Sequence, residues 1–138
     1  MATSKRDLLR RVPLFAGLGD RDLGEIEQLV DEIDVPAGTR LTREGAFGQE
    51  FFVIIEGRVL VERDGRELNT LGPGDFLGEI ALLDGKPRMA SVTTTEPSRL
   101  LVIGHREFHS LLDTRPDIRL RVLEALAERI RAAEPEQD

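Results

Sequence analysis

At 138 residues the chain has the length of one domain, enough to bury about two-thirds of its unfolded surface around a single core. A net charge of −7 argues against a basic nucleic-acid surface, and the absence of Trp and Tyr argues against stacking platforms for single strands. With no Cys there is no disulfide scaffold, thiol nucleophile or thiolate metal site.

The N-terminus, "MATSKRDLLRRV", carries charge but no apolar signal region, and no apolar run approaches the roughly 18 residues of a membrane span. The expectation is a soluble cytoplasmic domain without membrane contact. "SKRDLLRRV" predicts a short helix capped by Ser4, and "PLFAGLGD" a turn-rich connection. In "DRDLGEIEQLV", Leu23, Ile26 and Leu29/Val30 recur at helical spacing behind Asp20 as N-cap. The period then changes. "DEIDVPAGTRLTREG" alternates apolar positions around Pro-Ala-Gly and predicts strand, turn, strand. "EFFVIIEGRVLVERDGRELNTLGPGD" predicts three short strands punctuated by Gly57, Asp64-Gly65 and Gly72-Pro73-Gly74, the Asp-Gly pair being a hairpin signal. "MASVTTTEPSRLLVI" predicts two more strands split at Glu96-Pro97. The chain closes with helical patterns in "HREFHSLLD" and, from Pro116, "PDIRLRVLEALAERIRAA". No internal repeat is visible, and only "EPEQD" reads as disordered.

The stretch "GEIALLDGKPRMASV", Gly78 to Val92, places the carboxylate of Glu79 and the guanidinium of Arg88 around one small loop. Gly78 precedes a helical turn whose unpaired N–H groups suit an anion. Arg88 returns on the next strand with Ala90, Val92 and Thr94 on its face, which points it inward. A guanidinium fork fits phosphate or carboxylate. Two readings stay open at this point. One is a pocket for a small sugar phosphate, with Ala90 leaving room and Glu79 accepting from sugar hydroxyls. The other is a Glu79–Arg88 ion pair bracing a surface loop.

The stretch resembles the phosphate-binding cassette of the cyclic nucleotide-binding domain family, written G-E-[LIM]-A-L…P-R-x-A-[ST]-V. The likeness covers nearly the whole chain through "VPLFAGL", "PAGTRLTREG", "FFVIIEGRVLV", "LGPGDFLGE" and "FHSLLDTRPDI", and is closest to the catabolite-activator-like branch. The resemblance implies that Arg88 holds the cyclic phosphate and Glu79 the ribose 2′-hydroxyl. Gly78 and the N–H groups around Ile80 and Ala81 complete the cradle, and Ala90 packs beside it. Val61, Leu68 and Leu71 occupy positions that line the base pocket in relatives, although ordinary core strands carry the same residue types. A Thr after the arginine favours cGMP in many relatives. Met89 stands there, so the expected ligand is cAMP, with cGMP as the alternative. Ala132 and Ala133 stand where the catabolite activator carries adenine-reaching hydroxyls, and no Tyr or Trp supplies an aromatic lid. Any lid is therefore aliphatic, from Leu123, Leu126 or Ile130.

The resemblance implies a mainly β fold, a double-stranded β-helix or jelly-roll-like β-roll over about residues 31–103 with the cassette at 78–92. Helices flank it over about residues 4–30 and 104–133. Regulators of the catabolite-activator-like branch continue into a DNA-reading helix-turn-helix, whereas this sequence ends after "EPEQD". No direct DNA binding is expected, and the initial Met and polar tail suit a stand-alone sensor. The output then passes to an effector protein through the C-terminal helix, which is also the surface for a homodimer. Rival readings are a protein-interaction module with an unused pocket and the sensor half of a truncated transcription regulator.

No enzymatic activity, cofactor or metal is expected. His105 and His109 share a helix face, but a third ligand is not evident and the order departs from the zinc-protease motif. A cupin-type site needs histidine on the strands, and residues 31–103 contain none. "GPGDFLG" and "GLGDRDLG" are spaced or placed wrongly for nucleotide loops and read as turns.

Overall fold

The computed structural model describes residues 4–12, 15, 17–48, 50–78, 87–88 and 90–133. Two helices open it: α1 (Lys5–Arg11) and α2 (Asp20–Glu27). Strands β1 (Val30–Val35), β2 (Arg40–Thr42), β3 (Glu50–Glu56), β4 (Val59–Arg63), β5 (Arg66–Leu71), β6 (Phe76–Leu77), β7 (Ser91–Thr94) and β8 (Ser98–Gly104) follow. Helices α3 (His105–Thr114) and α4 (Pro116–Ala133) close it. The strands form two antiparallel sheets, ordered β1-β8-β3-β6 and β2-β7-β4-β5. This is the expected β-roll with helices at both ends.

Three layers result. Phe51, Val53, Ile55, Leu101 and Ile103 project from the first sheet onto the helices, joining Leu8, Leu9, Phe15, Leu23, Ile26, Phe108, Ile118 and Val122 in one core. Phe52, Ile54, Leu100 and Val102 project from the other face onto Val59 and Val92 of the second sheet. The apolar runs "FFVII" and "LLVI" are continuous because β3 and β8 are covered on both faces.

Two expected boundaries are corrected. Gly19, not Asp20, is the N-cap of α2; Asp20 is already helical and its carboxylate pairs with Arg10 of α1. That helix also ends at Glu27, because Val30 is claimed by the ladder with Ile103 of β8. Ser4 does cap α1, accepting from the Asp7 N–H at 3.1 Å. The Asp64-Gly65 turn joins β4 to β5 with both residues at positive φ, 54° and 78°, the type I′ geometry that matches strand twist.

Candidate functional site

Arg88 lies three residues ahead of β7 and is only 6% exposed. The sequence pattern extended the strand to Arg88, but the ladder begins at Ser91; the preceding backbone pairs instead with the loop between β2 and β3. In that loop, the Gly45 N–H donates to the Arg88 carbonyl at 2.9 Å, and the Arg88 N–H donates to the Ala46 carbonyl at 2.8 Å. Arg88, Val92 and Thr94 are nevertheless all buried. Thr42 Oγ1 donates to the Ala90 carbonyl at 3.0 Å, and the Glu44 N–H donates to Ser91 Oγ at 2.9 Å.

The guanidinium is held by backbone from the first sheet. Arg88 Nη2 donates to the carbonyl of Glu50, the first residue of β3, at 2.6 Å. Two glycines make room for it. A Cβ on Gly48 would lie 1.8 Å from Arg88 Nε, and one on Gly78 would lie 2.4 Å from Nη1 and 2.8 Å from the Glu50 carbonyl oxygen. Gly78 also follows β6 at φ +93°, a conformation that side chains strongly disfavour. Its missing side chain thus admits the arginine itself, a role distinct from the anion approach expected of it. Glu79, Ile80, Ala81 and Met89 lie outside the described residues. The residues that sequence reasoning missed are Glu44, Gly48 and Glu50. The paired glycines of "REGAFG", just ahead of an apolar strand, were the available signal for a close approach.

Along the second sheet, Val61 and Leu71 are partly buried against the inter-sheet core, whereas Leu68 is 51% exposed on the edge strand β5. Helix α4 is anchored elsewhere. Ile118 and Val122 are buried among the N-terminal helices and α3, while Leu120 and Leu123 are 57% and 53% exposed. Leu123 belongs to neither core; the side chains of Leu126 and Ile130 lie outside the described residues. The anchoring is electrostatic as well as apolar. Arg115, at the joint between α3 and α4, reaches Asp117 at 3.0 Å and Asp22 of α2 at 3.3 Å. Burial opposes its charge, but the hydrogen bond and charge of Asp117, helped by Asp22 and Glu25, leave its pKa raised. The same hydrogen bond from Arg115 holds the Asp117 carboxyl below its ordinary range.

His105 and His109 meet edge to face on α3 with ring centroids 4.6 Å apart. Among the described residues no three His, Asp or Glu side chains gather as a metal site. No described helix is long and apolar enough to cross a membrane.

The structure is thus a double-sheet β-roll with a helical outer layer and a buried arginine whose guanidinium bonds to the first sheet. The family model "Cyclic nucleotide-binding domain" matches residues 32–115, and the chain belongs to that family. The chain is 32% identical over 130 residues to the CRP-like cAMP-activated global transcriptional regulator of Mycobacterium tuberculosis, covering 91% of this chain and 58% of that protein. It is 37% identical over 122 residues to a cyclic nucleotide-gated potassium channel of Rhizobium etli, covering 88% of this chain and 34% of the channel. The catabolite activator protein of Thermus thermophilus superposes with a TM-score of 0.80 at 30% identity, over 90% of this chain and 61% of that one. The chain thus spans about a third to three-fifths of the length of these relatives.

Proposed function

We propose that this chain reversibly binds a cyclic mononucleotide, cAMP in preference to cGMP, and relays occupancy through α4 to a partner protein. The observation that carries the reading is the burial of Arg88 in a backbone cradle lined by Gly48, Gly78 and the Glu50 carbonyl. A guanidinium is costly to bury, and one positioned this closely suits a cyclic phosphate. Glu79 would accept from the ribose hydroxyl, the Ile80 and Ala81 N–H groups would face the phosphate, and Ala90 would leave it room. Met89 offers no hydroxyl to a guanine, which supports cAMP. Val61, Leu71 and Leu68 supply an apolar wall for the base.

In this reading the ligand draws α4 and Leu123, Leu126 or Ile130 toward the roll, by no more than its differential affinity for the two arrangements. The protein acts as a cytoplasmic regulator with no catalytic role, cofactor or direct DNA contact, and α4 serves as the contact for an effector or a second copy. Names of relatives support the ligand class: a cAMP-activated regulator, a cyclic nucleotide-gated channel and a cAMP-dependent protein kinase regulatory subunit.

Calorimetric titration of cAMP and cGMP into the wild type and Arg88→Ala tests the reading. Micromolar cAMP binding that the substitution weakens by about 2–5 kcal/mol is the expected result. A folded, ligand-free wild type that binds neither nucleotide would overturn it. The second reading, a protein-interaction module with an idle pocket, is favoured by Leu120 and Leu123 standing 57% and 53% exposed on α4. Loss of a partner on Leu123→Glu, with nucleotide binding absent throughout, would establish that alternative.

A further inference from the structure

Arg88 depends on the loop between β2 and β3 for its main-chain partners and for the gap at Gly48. That loop begins with a four-residue turn, Arg43 to Ala46, closed by the Ala46 N–H donating to the Arg43 carbonyl at 3.1 Å. Gly45 occupies its third position at φ +83°, the geometry of a type II turn. Glu44, second in the turn, is fixed at both ends. Its N–H donates to Ser91 Oγ at 2.9 Å, and its carboxylate Oε1 accepts from the Asp64 N–H at 3.0 Å.

Asp64 is the first residue of the two-residue turn between β4 and β5. In such a turn the N–H of the first central residue points away from the ladder and has no strand partner. Glu44 captures it with a charged acceptor, the stronger kind of hydrogen bond. The hairpin does not need this bond for its own closure, since Arg63 and Arg66 already pair across it. What the bond fixes is the loop. Gly45 and Ala46, the two residues that grip the Arg88 backbone, directly follow Glu44.

We propose that Glu44 is a positioning residue for Arg88, a strap tying the loop that cradles the arginine to the tip of the β4–β5 hairpin. The hairpin tip and the anion-binding group then move as one unit, although Glu44 itself touches no ligand. The proposal rests on the nucleotide reading for its affinity readout alone.

The test compares wild type, Glu44→Ala and Glu44→Gln by two measurements. The first is the Arg88 Nε–H resonance of the nucleotide-free protein, assigned with Arg88→Lys. The second is calorimetric titration with cAMP. Glu44→Ala is expected to shift the Arg88 resonance and weaken cAMP about five-fold, less than the roughly ten-fold or more of a whole charge-assisted hydrogen bond because Glu44 acts through the loop. Glu44→Gln keeps an oxygen acceptor without the charge and is expected to restore the resonance and part of the affinity. An Arg88 resonance unchanged in Glu44→Ala overturns the strap, whatever the affinity. Equal losses in the Gln and Ala variants also overturn it, assigning the effect to the charge of Glu44. A resonance shift that Gln restores, with no cAMP bound by any of the three proteins, upholds the strap and defeats the nucleotide reading instead.

Discussion

The two sheets have the same number of strands and opposite surroundings. In the first, β3 and β8 are buried on both faces, toward the helices and toward the second sheet. In the second, the edge strand β5 is exposed from Arg66 to Thr70. The first sheet therefore anchors the fold, and the second presents one covered and one open face. Arg88 lies where they meet. Its main chain runs on into β7 of the second sheet, while its guanidinium bonds to the first residue of β3 and passes the glycine that follows β6. A ligand on this arginine would be read by both sheets at once, which suits a binding event that must be felt across the molecule.

The sharpest way to break this division is to damage the anchoring sheet. Phe51 is fully buried, stacked on Phe108 with centroids 4.6 Å apart and tilted on Phe76 at 5.5 Å. Phe51→Ala is expected to cost about 3–5 kcal/mol in urea denaturation, from lost transfer energy and an unfilled cavity. A loss below about 1 kcal/mol, smaller than ordinary core truncations give, would show that the first sheet is not the anchor. Next in size is Gly78→Ala at the seam. A non-glycine residue at this φ costs about 1–3 kcal/mol, and the new Cβ would press on the Glu50 carbonyl and Arg88 together. Stability and cAMP binding should fall together; normal binding in a destabilised variant would detach Gly78 from the arginine.

How much of this was legible beforehand differs between the same two regions. The hairpin at Asp64-Gly65 and the split at Glu96-Pro97 follow from local chemistry: positive φ at glycine and proline's missing donor. Arg88 is buried as expected, but the strand whose period suggested it starts only at Ser91. Pairing was not legible. That β8 lies between β1 and β3 is decided by burial on both faces, and an uninterrupted run such as "FFVII" has no alternation to report which face meets what. The Asp20 cap failed because capping statistics do not see Arg10, which holds that carboxylate from another helix. The Glu50 carbonyl escaped notice for a simpler reason. Backbone acceptors carry no residue signature, so only the glycines beside them can betray a guided side chain.

A smaller effect is expected where α4 joins the helical layer of the anchoring sheet. Asp117 titrates below its ordinary value of 3.8 because Arg115 hydrogen-bonds to its charged form. A carboxyl with a depressed folded pKa stabilises the protein above the unfolded value, and that contribution disappears as pH falls through the folded one. The Asp117 side chain is 48% exposed, so the gain is at most about 1 kcal/mol. Melting midpoints of wild type and Asp117→Asn should differ near neutrality and converge in acid, below the normal carboxylate range. A gap that persists in acid would mean that Asp117 acts through packing or capping rather than charge.

The smallest stability change tests the exposed edge strand of the second sheet. Leu68 is 51% exposed on β5 and joins neither core, so Leu68→Ala should alter unfolding free energy by less than about 0.5 kcal/mol. Its effect on nucleotide affinity is a separate question. If Leu68 contributes to the wall beneath the base, calorimetry should register weaker cAMP binding in a protein that melts normally. Such a split between stability and binding is what an anchored sheet joined to a binding sheet requires. Unchanged affinity would remove Leu68 from the pocket and leave Val61 and Leu71, the partly buried side chains on the same sheet, to form the wall.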